Sequence, residues 1–167
     1  MTTAAIFVKL GNSWARQDED SDGYPEDYGK HWMASVTSKQ DVLRAMGVRT
    51  NDPTPRCADF VYKFDEKSGQ MVFWAGKEKG WTSYREYLLV AMRKQAVECA
   101  KQFPNDPESE WEKQIEFIDK YGLFAWEVAC DKKTKRFIVD KNGVPKLRDP
   151  KYAKFVKPGS ALSEKQP

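Results

Sequence analysis

The chain has 167 residues, 40% of them apolar and 32% charged, with a formal net charge of +3. That size supports one globular domain with a core needing no staple, and a balance so near neutrality is far from that of a dedicated nucleic-acid protein, so any polyanion contact is expected to be local. The apolar runs are short and broken by charges, well below the roughly 18 consecutive apolar residues of a membrane span, and Met1–Leu10 has no basic stretch leading into an apolar one, so neither membrane insertion nor a secretory leader is expected.

In chain order, Ile6, Val8 and Leu10 alternate with Phe7 and Lys9, which predicts a strand with one face buried, ended by Gly11-Asn12. Residues 14–30, with Asp18, Glu19, Asp20, Asp22, Gly23 and Pro25, read as an irregular acidic surface loop. Trp32, Ala34 and Val36 alternate again. Ser38 with Asp41 then resembles a loose capping box for a short helix through Val42, Leu43 and Met46, closed by Gly47. Residues 48–56, punctuated by Pro53 and Pro55, read as a connection.

The clearest local signal is Phe60-x-Tyr62-x-Phe64, a turn at Asp65–Gly69, and Gln70–Trp74: a hairpin with Gly69 at a positive-φ position. Ser83-x-x-Glu86 caps a helix of about twenty residues, within the usual range, with Tyr84, Leu88, Ala91, Met92, Cys99 and Phe103 at helical spacing. A second helix is expected with Asp106 as N-cap, Pro107 at its first position, Trp111, Ile115 and Ile118 as its buried stripe, and Gly122 as its stop. Leu123–Cys130, Arg136–Val139 and Val144–Leu147, the last two joined by Asn142-Gly143, read as a three-strand meander. Strands and helices segregate rather than alternate. The predicted class is α+β, an antiparallel hairpin and a three-strand meander packed with two consecutive long helices, in a single domain over 1–149. Residues 150–167 read as a basic carboxyl-terminal arm or tail.

Few motifs carry chemistry. Asp18-x-Asp20-x-Asp22-Gly23, with Glu26 further on, matches the first half of a calcium loop, in which oxygens converge on a hard cation and glycine permits a tight turn. The position needing a bidentate Glu is Gly29, so these acids are weak metal candidates and the reading favours a solvated acidic loop. Cys57, Cys99, Cys130 and the single His31 lack paired metal-ligand spacing. The odd, widely spaced cysteines also argue against disulfides and point to a reducing, cytoplasmic compartment. His31 has no recognisable orienting partner. No catalytic residue, cofactor or metal ligand is assigned.

Binding chemistry is better supported. Residues 1–30 hold three Lys/Arg against six Asp/Glu, whereas residues 130–167 hold eleven against four. Lys132, Lys133, Lys135 and Arg136 cluster at one turn, and Lys151, Lys154 and Lys157 interleave with Tyr152 and Phe155. Trp14, Tyr24, Tyr28, Trp74 and Trp81 are candidates for exposed interface rings. The preferred expectation is a non-enzymatic interaction protein, an assembly component or inhibitor, that grips a protein partner through Trp74, Trp81 and the basic arm. The alternative is single-stranded nucleic acid, with cations on phosphates and Tyr152 and Phe155 stacking on bases. A metal-dependent enzyme is a second alternative.

Overall fold

Leu10 and Ser13 stand opposite each other across Gly11-Asn12, so the glycine, at φ +61°, turns the chain straight back on itself. The resulting hairpin joins β1 (Ala4–Leu10) to β2 (Ser13–Glu19). The first half of the expected acidic loop is therefore a strand: cross-strand pairing along all of β1 outweighs the poor strand propensity of Asp18 and Glu19. The computed structural model describes residues 2–19, 23–29, 36–43, 48–50, 58–74, 80–106 and 109–157. The chain forms two compact units, Met1–Leu88 and Leu89–Pro167.

In the first unit a π-helical turn covers Pro25–Gly29, and a short helix, α1, covers Lys39–Leu43. Asp41 accepts backbone N–H bonds from Thr37 and Ser38, both at 3.0 Å, and the Ser38 hydroxyl accepts from the Asp41 N–H at 3.3 Å, which is the expected capping box. Within the expected connection, Val48–Thr50 forms β3 against β2. The expected hairpin is β4 (Phe60–Asp65) and β5 (Gln70–Trp74), with Gly69 at φ +67°, and β6 (Trp81–Ser83) adds to β5. The sheet order is β3-β2-β1-β4-β5-β6, with β1 and β4 parallel and every other pair antiparallel. As an interior strand, β1 is buried on both faces from Ala4 through Val8 rather than on one.

One face of this sheet carries Tyr62 and Phe73, which meet Tyr84 and Tyr87 with ring centroids 4.7–6.0 Å apart. Such ring pairs add about 0.5–1.5 kcal/mol each beyond area burial. The Tyr84 hydroxyl donates to the Pro25 carbonyl at 2.7 Å, and Tyr62 donates to the Gly23 carbonyl at 3.2 Å. Both anchor the 23–29 segment over the sheet.

Ser83 caps the helix α2 (Tyr84–Gln102) by accepting from the Glu86 N–H at 3.4 Å. Its apolar stripe is only partly used, because Tyr84 and Leu88 are buried while Phe103 is exposed. In the second unit, α3 runs Trp111–Tyr121, four residues later than Pro107 would start it. Glu110, not Asp106, is the N-cap, and Phe117, Ile118 and Tyr121 form the buried stripe. Gly122 ends the helix in the left-handed conformation, φ +62°, as expected.

The three following segments meet at the bridges Cys130↔Phe137, Val139↔Pro145 and Val128↔Leu147. The first two are the expected meander; the third joins its ends. Ala129 N–H donates to the Lys146 carbonyl, Lys146 N–H to that of Ile138, and Ile138 N–H to that of Ala129, at 2.8–2.9 Å, so each segment is bonded to both others. Val128 and Leu147 share a core with Phe117, Tyr121, Leu123, Tyr152 and Val156. The last two come from the stretch expected to be an arm: Asp149 caps a 3-10 turn over Pro150–Phe155, and the Lys157 N–H donates to the Tyr121 carbonyl. Tyr152 and Val156, four residues apart, bury one side of the turn and tie the chain through Lys157 into this unit.

Candidate functional site

Directly opposed residues in paired strands share a sheet face. The register sets Ala5 opposite Val61, Val61 opposite Trp74, and Trp74 opposite Trp81; Phe7 lies opposite both Arg16 and Lys63. These residues therefore occupy the face turned away from Tyr62 and Phe73. Ala5, Phe7 and Val61 form its buried floor, with Trp14, Ala58 and Trp74 packed against it. Above that floor stand rings and cations. The Lys63 ammonium lies 4.1 Å from the centre of the Trp81 ring, and the Arg16 guanidinium 5.5 Å from that of Phe7. Trp81 remains 38% exposed, and Trp74 is half-buried. Both sequence-predicted anchor rings are thus brought together at the sheet edge. Lys63 was missed, although the hairpin register carries the signal: Val61 and Lys63 alternate with Tyr62 and Phe64, so they fall on the face of Trp74.

The other expected residues are scattered. Lys132, Lys133 and Lys135 are exposed on a turn whose geometry is set by Asp131, which accepts the N–H groups of Lys133 and Thr134 at 2.9 and 2.8 Å. These bonds hold the Asp131 carboxyl below its usual range. Arg136 reaches Glu110 at 3.4 Å. Lys151 and Lys154 lie 5.4 and 5.2 Å from the ring centres of Tyr152 and Phe155. However, Tyr152 is buried in the core and Phe155 packs against it, so neither ring is a free stacking platform. The Lys157 ammonium donates to the Asp119 carbonyl at 2.6 Å, closing the turn back on α3.

In the acidic segment, Asp18 accepts from Arg16 at 2.7 Å and the Glu26 carboxylate accepts from the Tyr87 hydroxyl at 3.3 Å; Asp20 and Asp22 lie outside the described residues. Gly23 has a reason of its own. A Cβ there would stand 2.7–2.9 Å from the backbone of Thr3 and Ala4, so glycine permits close approach to β1. Among the described residues, no three His, Cys, Asp or Glu side chains gather as a metal site requires, and no helix is long and apolar enough to cross a membrane. His31 and Cys57 lie outside the described residues; Cys99 is half-buried and Cys130 exposed, both as free thiols.

No family model matches the chain, and no curated protein or solved structure matches it either.

Proposed function

We propose that this chain acts by binding a protein partner, as an assembly component or inhibitor in a reducing, cytoplasmic setting. The Trp74–Trp81 face is its anchor, and the exposed cations of the 132–136 turn form a secondary contact. The supporting observation is the cross-strand pair itself. Two indoles stand side by side at the edge of a sheet, one against an apolar floor and the other partly exposed beneath the Lys63 ammonium. Rigid rings over an apolar floor, rimmed by long cationic side chains, match the usual anatomy of a protein-binding hot spot. The nucleic-acid alternative keeps its cations, but its two proposed rings, Tyr152 and Phe155, are committed to packing.

The test is affinity capture from the native source followed by direct binding of the recovered protein to three purified chains: wild type, Trp81→Ala and Val90→Lys. Val90 is an exposed α2 position outside the face. Trp81→Ala is expected to weaken the partner at least about tenfold, as truncating an indole anchor does, while Val90→Lys binds as wild type. Equal affinity of Trp81→Ala and wild type would remove this face from the function.

A further inference from the structure

The position of Lys63 constrains what can dock on the Trp74–Trp81 face. Its ammonium lies 4.1 Å from the centre of the Trp81 ring, and the register explains the reach. Lys63 stands opposite Val72 on β5, and β5 separates β4 from β6, so the side chain crosses one strand to meet a ring two strands away. Paired strands are about 4.8 Å apart, a span that takes most of the lysine stem along the apolar face. Whatever covers Trp81 therefore covers this ammonium as well. Among the described residues, no carboxylate forms an ion pair with Lys63. Arg16, another cation of this face, is already paired with Asp18 at 2.7 Å. Asp65, two residues beyond Lys63 on the same face, accepts the Ser68 N–H at 3.0 Å, and Glu66 pairs with Lys39.

An ammonium held between an indole and a docked surface loses water, and the ring returns less than that hydration is worth. Covering Lys63 without an anion therefore opposes binding, whereas covering it beside a carboxylate favours binding. The other charges of the face decide which kind of anion fits. Lys9, Arg16 and Lys63 share it with Asp18 and Asp65, so the positive excess is a single charge. A phosphate backbone draws its affinity from many cations at once and would meet two acids here. One carboxylate on an otherwise apolar segment suits both the single unpaired ammonium and the floor of Ala5, Phe7 and Val61. We propose that the protein segment seated on Trp74 and Trp81 carries an aspartate or glutamate whose carboxylate takes the Lys63 ammonium, next to an apolar or aromatic side chain that packs on the indoles. This rests on the protein-binding reading of the same face and adds the chemistry of what is bound there.

The test selects a random-peptide phage library on the full-length chain and remakes the selected peptides synthetically. Their affinities are measured for wild type, Trp81→Ala, Lys63→Met and Lys63→Arg, with an oligothymidylate as the phosphate probe. Lys63→Met keeps the apolar stem and removes only the charge. Peptides that lose affinity on Trp81→Ala are expected to share an Asp or Glu. For these, Lys63→Met and replacement of the peptide's acid by its amide should each weaken binding at least about tenfold. The two changes together should weaken it no further than either alone, because each removes the same contact. Lys63→Arg, which keeps the charge, should retain most of the affinity. Trp81-dependent peptides that lack an acid, or whose amide forms bind equally well, overturn the carboxylate assignment and leave the protein-binding role of the face standing. If no selected peptide depends on Trp81, the face itself falls and the assignment with it. Oligothymidylate bound more tightly than every selected peptide, and lost on Lys63→Met, overturns the proposal in favour of a phosphate ligand.

Discussion

Glu110 shows how one residue can hold a strained backbone in place. Its φ of 44° costs a residue with a Cβ about 1 kcal/mol relative to glycine. The side chain offsets this by accepting from the Phe137 N–H at 2.8 Å and pairing with Lys113 at 2.6 Å and Arg136 at 3.4 Å. Burial alone would raise its carboxyl, but these partners outweigh burial and hold it below its ordinary value of 4.5. Glu110→Ala keeps the strain and loses the partners, so chemical denaturation should show a loss of about 2–3 kcal/mol. Glu110→Gly should recover about 1 kcal/mol of that loss, since glycine accepts positive φ; equal stabilities for the two variants would mean the conformation is not strained. Glu127 is fully buried, and Glu127→Ala would leave the Phe124 N–H without its carboxylate acceptor, a loss on the order of 2 kcal/mol by the same measurement.

At the scale of elements, Gly23 determines how its segment lies on β1. Its N–H donates to the Thr2 carbonyl at 3.0 Å, and the space for a Cβ is already filled by backbone. Gly23→Ala must displace either the segment or the start of β1, with an expected cost of about 1–3 kcal/mol and a lowered Tm. A calcium-loop explanation of the same glycine would instead tie the effect of the substitution to added calcium. Helix α2 makes the opposite point. Val90 is 73% exposed, so Val90→Lys should leave stability within about 0.5 kcal/mol, or raise it slightly through better helix propensity. A larger loss would show that this face of α2 is covered in solution.

For the whole molecule, the pH dependence follows from carboxylates held low in both units. Asp41 is lowered by bonds from Thr37 and Ser38 that outweigh burial, Asp65 by Ser68, Asp119 chiefly by Arg93, and Glu110 as above. A carboxyl with a lower pKa folded than unfolded stabilises the native state fully above its unfolded value, and that stabilisation is lost as pH falls through the folded value. Stability should therefore hold through neutral pH and decline below about pH 4.5, through the ordinary carboxyl range and beneath it. Tyr84 and Tyr87, pushed up mainly by burial, act at the other limit: stability declines as pH rises past their ordinary value of 10.0. Denaturant midpoints measured across pH check both limbs, and Glu110→Ala should flatten part of the acid limb. An acid limb that begins above pH 6 would require a group other than these carboxylates.

Local instructions were legible wherever neighbours in sequence settle the structure alone. The Gly69 hairpin, the Ser83 and Asp41 caps, the Gly122 stop and the α+β class all follow from turn chemistry and periodicity within a few residues. The pairing of Trp74 with Trp81 was half legible: both rings stood out as anchors, but β6 is three residues long and exists because β5 lies beside it. What depended on distant partners could not be read locally. Asp18 sits in a strand because β1 pairs with it, and Tyr152 is buried because α3 and Leu147 form its pocket wall. Arg148 is tied to the Ala125–Glu127 turn by a backbone bond between residues twenty-one positions apart, from Arg148 N–H to the Glu127 carbonyl. Periodicity reports which side of an element is apolar. What covers that side is decided by contacts that form only when the chain closes on itself, and those contacts determine which rings and cations remain available to a ligand.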